Sequence, residues 1–271
     1  MDATRADKYA ELRRILAEMD SVAVCFSGGV DSALLLATAH DVLGDNCVAV
    51  TVTSAFTAFE DVLCAIALCA ERGIRHELVD IPSFDDIPHF EENPPDRCYH
   101  CKRALLGKVV DTATRLGLSC SVEGSNVDDA GDWRPGMRAV AELGVRSPLR
   151  EVGLTKADIR ALSRELGLPT WNKPSAACLA SRIPYGQRIT EHALELVDAA
   201  ESALRDLGFE QVRVRLHGET NPIARIEVEP RDIPRAAEQA ATIVALLKEM
   251  GFAYVTLDLE GFRSGSMNEV L

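Results

Sequence analysis

The chain has 271 residues, 47% of them hydrophobic and 26% charged, which suits one large or two modest domains with a real core. Its net charge of −13 argues against a protein that grips tRNA or DNA through phosphates, although a local basic patch stays open. No run approaches the roughly 20 apolar residues of a membrane span. The polar start (residues 1–8) is no secretory leader, and the eight cysteines do not read as a disulfide framework, so a cytoplasmic protein is expected.

Residues 4–19 pattern as an amphipathic helix, with Tyr9, Leu12, Ile15, Leu16 and Met19 on one side. An apolar strand, Val22 to Phe26, then runs into Ser27-Gly28-Gly29 and a helix from about 32 to 43 that ends near Gly44. Cys47–Thr53 reads as a buried strand, 58–72 as a helix closed by Gly73, and His76–Asp80 as a third strand. A Pro-rich connection (Pro82 to Pro95) delivers Arg97-Cys98-Tyr99-His100-Cys101-Lys102, with the CxxC in a loop and a helix following to about 115. Leu118–Gly124 reads as strand four and opens into the polar loop Ser125–Asp129. A helix follows Arg134-Pro135-Gly136, and Val145–Leu149 is expected to add a fifth strand. Thr155-Lys156-Ala157-Asp158 opens the next helix as a capping-box variant, and a second Pro-flanked loop carries Cys178.

The pattern changes at Pro184-Tyr185-Gly186, which sets the expected boundary between residues 1–185 and 186–271. A helix (190–207), strands Gln211–His217 and Ile223–Glu229 joined as a hairpin, a long helix (234–250) and a strand (Ala253–Leu259) make a small α+β domain. The first part alternates β and α, which predicts a Rossmann-like parallel sheet with ligands at the strands' carboxyl ends.

The Ser27–Ser32 stretch makes an anion site. A strand feeding a helix N-terminus gathers N–H groups at the positive end of the helix dipole. Gly28 and Gly29 let the backbone come close to a phosphate, and Ser27 and Ser32 add hydroxyls. Asp31 beside a phosphate makes sense with Mg²⁺ between them. No Gly-Lys-Ser/Thr follows, so this is not the Walker type. It resembles the SGGxDS loop of the PP-loop ATP pyrophosphatases, which cleave ATP between the α and β phosphates and adenylate a substrate. Cys98, Cys101 and Cys178 are three thiols with no fourth of matching spacing, which disfavours a structural Zn–Cys₄ site and suits a [4Fe–4S] cluster with one open iron. Cys25, Cys47, Cys64, Cys69 and Cys120 fall in strand or helix patterns and read as small buried hydrophobes. Arg213 and Arg215 are two apart on a strand and share a face, as a phosphate fork would.

SGGVDS, RCYHCK, EGSNVDD, KPSxxCLASR, the RVR strand, ARIEVE and DLEGFRSGSMN together resemble the LarE family over essentially the whole chain. The resemblance implies an ATP-dependent sulfur transferase that adenylates a carboxylate of pyridinium-3,5-biscarboxylic acid mononucleotide and converts it to a thiocarboxylate. That step belongs to biosynthesis of the nickel-pincer nucleotide of lactate racemase. One branch of the family sacrifices a single cysteine; another has three and is thought to hold a [4Fe–4S] cluster carrying the sulfur. Cys98, Cys101 and Cys178 place this chain with the second. Matching motifs implies that Ser27, Gly28, Gly29, Asp31, Ser32 and Gly124 hold ATP, with Asp129 a second Mg²⁺ carboxylate. Arg213, Arg215, Ser181 and Glu201 would take the substrate's phosphate, and Lys102 and Lys173 could steady pyrophosphate. Arg263, Ser264 and Ser266 lie in the C-terminal signature without a role assigned from chemistry. A sulfur donor, a downstream nickel-inserting enzyme and a homo-oligomer, as a hexamer, are the implied partners, with no nucleic acid and no membrane. The rival readings are a tRNA 2-thiolation enzyme, an amidating ligase (for which no glutaminase segment is present) and a nucleotide sensor.

Overall fold

The computed structural model describes residues 4–54, 57, 59–81, 83–131, 135–173, 178–263 and 266–269. They fall into two compact units, Met1–Pro88 with Asp96–Ala176, and His89–Pro95 with Ala177–Leu271. Residues 177–185 and the short stretch 89–95 thus group with the C-terminal part.

In the first unit, α1 (Arg5–Ala17) starts at a capping box between Thr4 and Asp7. It is followed by β1 (Val22–Cys25), α2 (Val30–Leu43), β2 (Cys47–Ser54), α3 (Phe59–Arg72), β3 (Arg75–Ile81), α4 (Arg97–Leu116) and β4 (Cys120–Val122). Then come α5 (Gly136–Glu142), α6 (Pro148–Glu151) and α7 (Lys156–Glu165), the last opened by the Thr155–Asp158 box expected from sequence. The described strands lie in the order β3-β2-β1-β4, and all three pairings are parallel. Val22 and Val24 pack with Leu12, Leu16, Leu34, Leu35 and Leu162 on one face of the sheet. Ala23 packs with Val48, Val50, Val109 and Ala113 on the other. Burial on both faces explains why β1 and β2 read as continuous apolar runs.

Three expectations change here. The CxxC lies on a helix, since α4 begins at Arg97. Directly after Pro94 and Pro95 the Asp96 carbonyl takes the Tyr99 N–H at 2.8 Å, so the first turn forms at once. The fifth strand is a single parallel bridge between Val122 and Arg146. Pro148 then opens α6, and a proline at the first helical position commits the chain to turning. Cys64 is exposed on the outer side of α3, whereas Cys47 and Cys69 are buried and Cys25 and Cys120 half-buried.

In the second unit, α8 (Glu191–Asp206) packs on β5 (Val212–His217), which pairs antiparallel with β6 (Ile223–Val228). The long helix expected at 234–250 is two, α9 (Ile233–Glu238) and α10 (Ala240–Glu249), parted at Gln239. β7 (Tyr254–Leu257) adds parallel to β6. Val212, Val214, Leu216, Ala224, Ile226 and Val228 are buried on one side of this sheet, and Arg213, Arg215 and Glu227 alternate onto the other.

Candidate active site

β1 lies inside its sheet, with β2 on one side and β4 on the other, so the order reverses between β1 and β4. Open parallel sheets bind ligands outside the carboxyl ends of the strands at such a point. The loops that follow β1 and β4 both open there.

The first loop is tightly built. The Phe26 N–H donates to the Val50 carbonyl at 2.9 Å, and the Thr51 hydroxyl donates to the Phe26 carbonyl at 2.7 Å. Gly28 has φ +71°, and a Cβ there would lie 2.6 Å from the Asp61 carbonyl oxygen. Only glycine satisfies both conditions. The Ser27 and Ser32 hydroxyls are 3.1 Å apart, and Ser32 Oγ donates to the Gly29 carbonyl at 3.2 Å. Gly29 caps α2 without a side-chain hydrogen bond, so the first-turn N–H groups face the loop rather than a capping oxygen.

The second loop closes against the first. A Cβ at Gly124 would stand 3.0 Å from the Ser32 nitrogen, so the absence of a side chain permits this contact. Asn126 Nδ2 donates to Asp31 Oδ1 at 3.2 Å, and Lys156 Nζ donates to Asp31 Oδ2. Asp129 accepts the Asn126 N–H at 2.9 Å, which places it one residue behind the Asp31 carboxylate. Lys173 Nζ reaches the Gly28 carbonyl at 3.0 Å and Asp61 at 2.6 Å, so this lysine stands against the Ser27–Ser32 loop. Lys102 is instead committed to Glu123, at 3.0 Å. Burial alone would push the Glu123 carboxyl up. The Lys102 charge and hydrogen bonds from Ser147, Ser125 and Lys102 outweigh it and hold Glu123 below the ordinary carboxylate value.

Cys98 and Cys101 lie three apart in the first turn of α4, a spacing that puts both on one side of the helix. Cys98 is exposed and Cys101 half-buried. The buried thiols are of another kind: burial pushes Cys47 up to about 12 and Cys69 to about 11. Among the described residues, no three His, Cys, Asp or Glu side chains gather into a metal-binding group.

In the second unit, Arg213 and Arg215 are buried on the same face of β5, as the alternation required. Burial, and next the charge of Arg182, push the Arg213 guanidinium down to about 10, against the pull of Glu201. A buried surplus of positive charge of this kind favours an anion. Arg215 Nη1 donates to the Ser181 carbonyl at 3.0 Å, and Nη2 to Glu227 at 2.8 Å and to Ser266 Oγ at 3.1 Å. Its buried Nε has no partner. Ser266, without a role in the sequence reading, thus belongs to the same network, and its hydroxyl also donates to Glu227 at 3.1 Å. Arg263 bonds Asp258, Glu260 and Glu269, and the guanidinium of Arg213 lies 5.3 Å from the centre of the Phe262 ring. Ser264 lies outside the described residues. Glu201 is engaged by Arg182 through two bonds, at 2.7 and 2.8 Å. Cys178 is exposed at the start of the short 3₁₀ turn Leu179–Arg182.

Sequence reasoning passed over Lys156, Asn126, Glu123 and Arg182. Lys156 carried a signal, because a lysine in the first helical turn opposes the dipole and needs a carboxylate nearby. Arg182 carried another, lying next to Ile183 and two residues from Ala180, in a run the chain buries.

The family described as NAD synthase matches residues 10–94, which hold β1, the Ser27–Ser32 loop and their neighbours. A pyridinium-3,5-bisthiocarboxylic acid mononucleotide synthase of Lactiplantibacillus plantarum is 41% identical over 270 residues, 99% of this chain and 96% of that protein. An uncharacterized protein of Synechocystis is 43% identical over 97% of this chain and 98% of its own. Another uncharacterized protein, of Methanocaldococcus jannaschii, is 26% identical over 90% of this chain and 91% of its own.

Proposed function

The chain belongs to the LarE family, and on that premise we propose that it is an ATP-dependent sulfur transferase acting on pyridinium-3,5-biscarboxylic acid mononucleotide. The observation that carries the reading is the Ser27–Ser32 loop at the switch point of a parallel sheet, with Gly28 held to glycine by its φ and the Asp61 carbonyl and Gly124 packed closely on Ser32.

ATP binds with its phosphates on that loop and on the N-terminus of α2. Lys173, already at the Gly28 carbonyl, meets the pyrophosphate end. A carboxylate oxygen of the substrate attacks the α-phosphorus, the bond to the bridging oxygen breaks, and pyrophosphate leaves. A sulfide sulfur then adds to the acyl carbon, the bond to AMP breaks, and a thiocarboxylate remains. Mg²⁺ fits here, since it takes one or two carboxylates plus phosphate oxygens; Asp31 would hold it, with Asp129 behind Asn126. Arg213, Arg215 and Ser181 hold the substrate's phosphate, supported by the buried positive surplus and the unpartnered Arg215 Nε.

For sulfur supply we assign Cys98, Cys101 and Cys178 as ligands of a [4Fe–4S] cluster. Cys98 and Cys178 are exposed and Cys101 is half-buried, so none of the three is sealed in the core as Cys47 and Cys69 are. The cluster would leave one iron open to hold the sulfide to be transferred. The sulfur donor and the nickel-inserting enzyme that takes the product are its partners, and the protein acts as a homo-oligomer. Among the described residues no helix is long and apolar enough to cross a membrane.

The test is anaerobic iron and sulfide analysis, with mass spectrometry of the product, on wild type and on Cys98→Ala, Cys101→Ala and Cys178→Ala. About four irons per chain are expected in wild type, lost in each variant, with AMP and thiocarboxylate formed together. Wild type that holds no iron after reconstitution overturns the cluster, and a dehydroalanine at Cys178 would then mark a consumed thiol.

A further inference from the structure

We propose that Arg182 is the positioning residue for Cys178, and that Glu201 acts through Arg182 rather than on the substrate's phosphate. The proposal rests on the reading of Cys178 as the sulfur-handling thiol of the second unit.

One guanidinium holds two things. Arg182 Nη1 donates to the Cys178 carbonyl at 3.2 Å and to Ser181 Oγ at 3.0 Å. Its other edge is fixed, with Nε on Glu201 Oε1 at 2.7 Å and Nη2 on Oε2 at 2.8 Å. Both side chains are almost wholly buried, at 3% and 2% exposure. The fork geometry of arginine therefore sets the orientation of the turn. The turn is further held by the Ser181 N–H on the Cys178 carbonyl at 2.9 Å and by Arg215 on the Ser181 carbonyl. Leu179 and Ala180 are buried, while Cys178 is exposed. A firmly anchored backbone thus presents an accessible thiol.

Glu201 ties this turn to β5. Its Oε1 also accepts the Val214 N–H at 3.0 Å, between Arg213 and Arg215. A carboxylate so placed would repel a phosphate directly. Its charge is matched by Arg182, and what it contributes is registry: the strand that carries the two arginines and the turn that carries Cys178 hang from the same two oxygens. The residue that handles the sulfur and the strand that holds the phosphate are thus kept in one register. Misplacement of a reacting group by about an ångström is enough to cost a large factor in rate.

The experiment compares wild type with Arg182→Lys, Arg182→Met and Glu201→Gln. Arg182→Lys keeps the charge and loses the fork, and it stands in if Arg182→Met fails to fold by circular dichroism. Three readouts are taken: pyrophosphate exchange dependent on the nucleotide substrate, the rate and KM of thiocarboxylate formation, and, after iron is stripped from a portion of the same protein by chelation, site-resolved alkylation of Cys178 against Cys64. We expect exchange within about twofold of wild type, sulfur transfer slower by at least tenfold at unchanged KM, and a Cys178 alkylation rate changed at least threefold while Cys64 stays constant. A raised KM with unchanged turnover would return Glu201 and Arg182 to the phosphate site and overturn the proposal. So would unchanged Cys178 alkylation. If wild type itself shows no substrate-dependent exchange, the proposed function fails, and the alkylation result still decides the positioning role by itself.

Discussion

Gly28 carries two constraints at once, a φ of +71° and a gap of 2.6 Å between a built Cβ and the Asp61 carbonyl oxygen. Gly28→Ala should therefore cost about 1–3 kcal/mol of stability, read as a lower denaturant midpoint, and should weaken ATP binding by at least tenfold in calorimetry. Wild-type values for both would remove the close approach from the account. Glu123 supplies a pH signature. Its folded pKa lies below the unfolded value, so its contribution is fully present above the unfolded value and is lost as pH falls through the folded one. Lys102→Met removes the principal opposing charge, leaving burial to raise the carboxyl. Denaturant midpoints measured from pH 7 down to pH 3 should show the variant below wild type at pH 7 and the deficit shrinking as pH falls, because a carboxyl raised by burial is protonated more readily in the folded state. Coincident acid limbs would mean that the pair contributes nothing.

At the scale of elements, each thiol's fate follows from where its helix or strand puts it. Cys47 on β2 and Cys69 on the inner side of α3 are buried, with values near 12 and 11, while Cys64 and Cys98 are exposed. At pH 8, Cys69 should alkylate at least tenfold more slowly than Cys64, since burial both raises its thiol and shuts out the reagent, whereas Cys64 is exposed. Equal rates in site-resolved mass spectrometry would contradict the packing of α3. The strand–loop–helix order was legible because β1 and β2 are apolar through and through and glycine marks the turns. What the sequence hid was a matter of competition between neighbours. Val145–Leu149 looks like a strand until Pro148 starts a helix. The CxxC looks like a loop until Pro94, Pro95 and Asp96 seed α4. Apolar spacing runs from 234 to 250 without marking the break at Gln239. The glycine turn and the shared face of the two strand arginines were readable because they depend on local spacing. The partners of Asp31 and Glu201 were not, since Lys156 lies 125 residues from Asp31 and Arg182 lies 19 from Glu201.

For the whole molecule, charge discriminates between the sulfur-acceptor classes. A net charge of −13 across 271 residues is a poor match for an RNA backbone, while the buried pair Arg213 and Arg215 on one strand face suits one small anion. Filter binding should find no salt-dependent affinity for tRNA tighter than about 1 µM at 0.15 M salt, the tight end of what nonspecific grip alone supplies. Tight, salt-sensitive binding would favour tRNA thiolation instead. The described residues divide into two units, one on a parallel sheet and one on a mixed sheet. The central claim is adenylation of a pyridinium carboxylate. It is tested most directly by exchange of labelled pyrophosphate into ATP, with and without pyridinium-3,5-biscarboxylic acid mononucleotide. The account predicts exchange that requires the nucleotide and falls at least tenfold in Asp31→Asn. Exchange that proceeds equally without it, or that appears only with tRNA, would contradict the account.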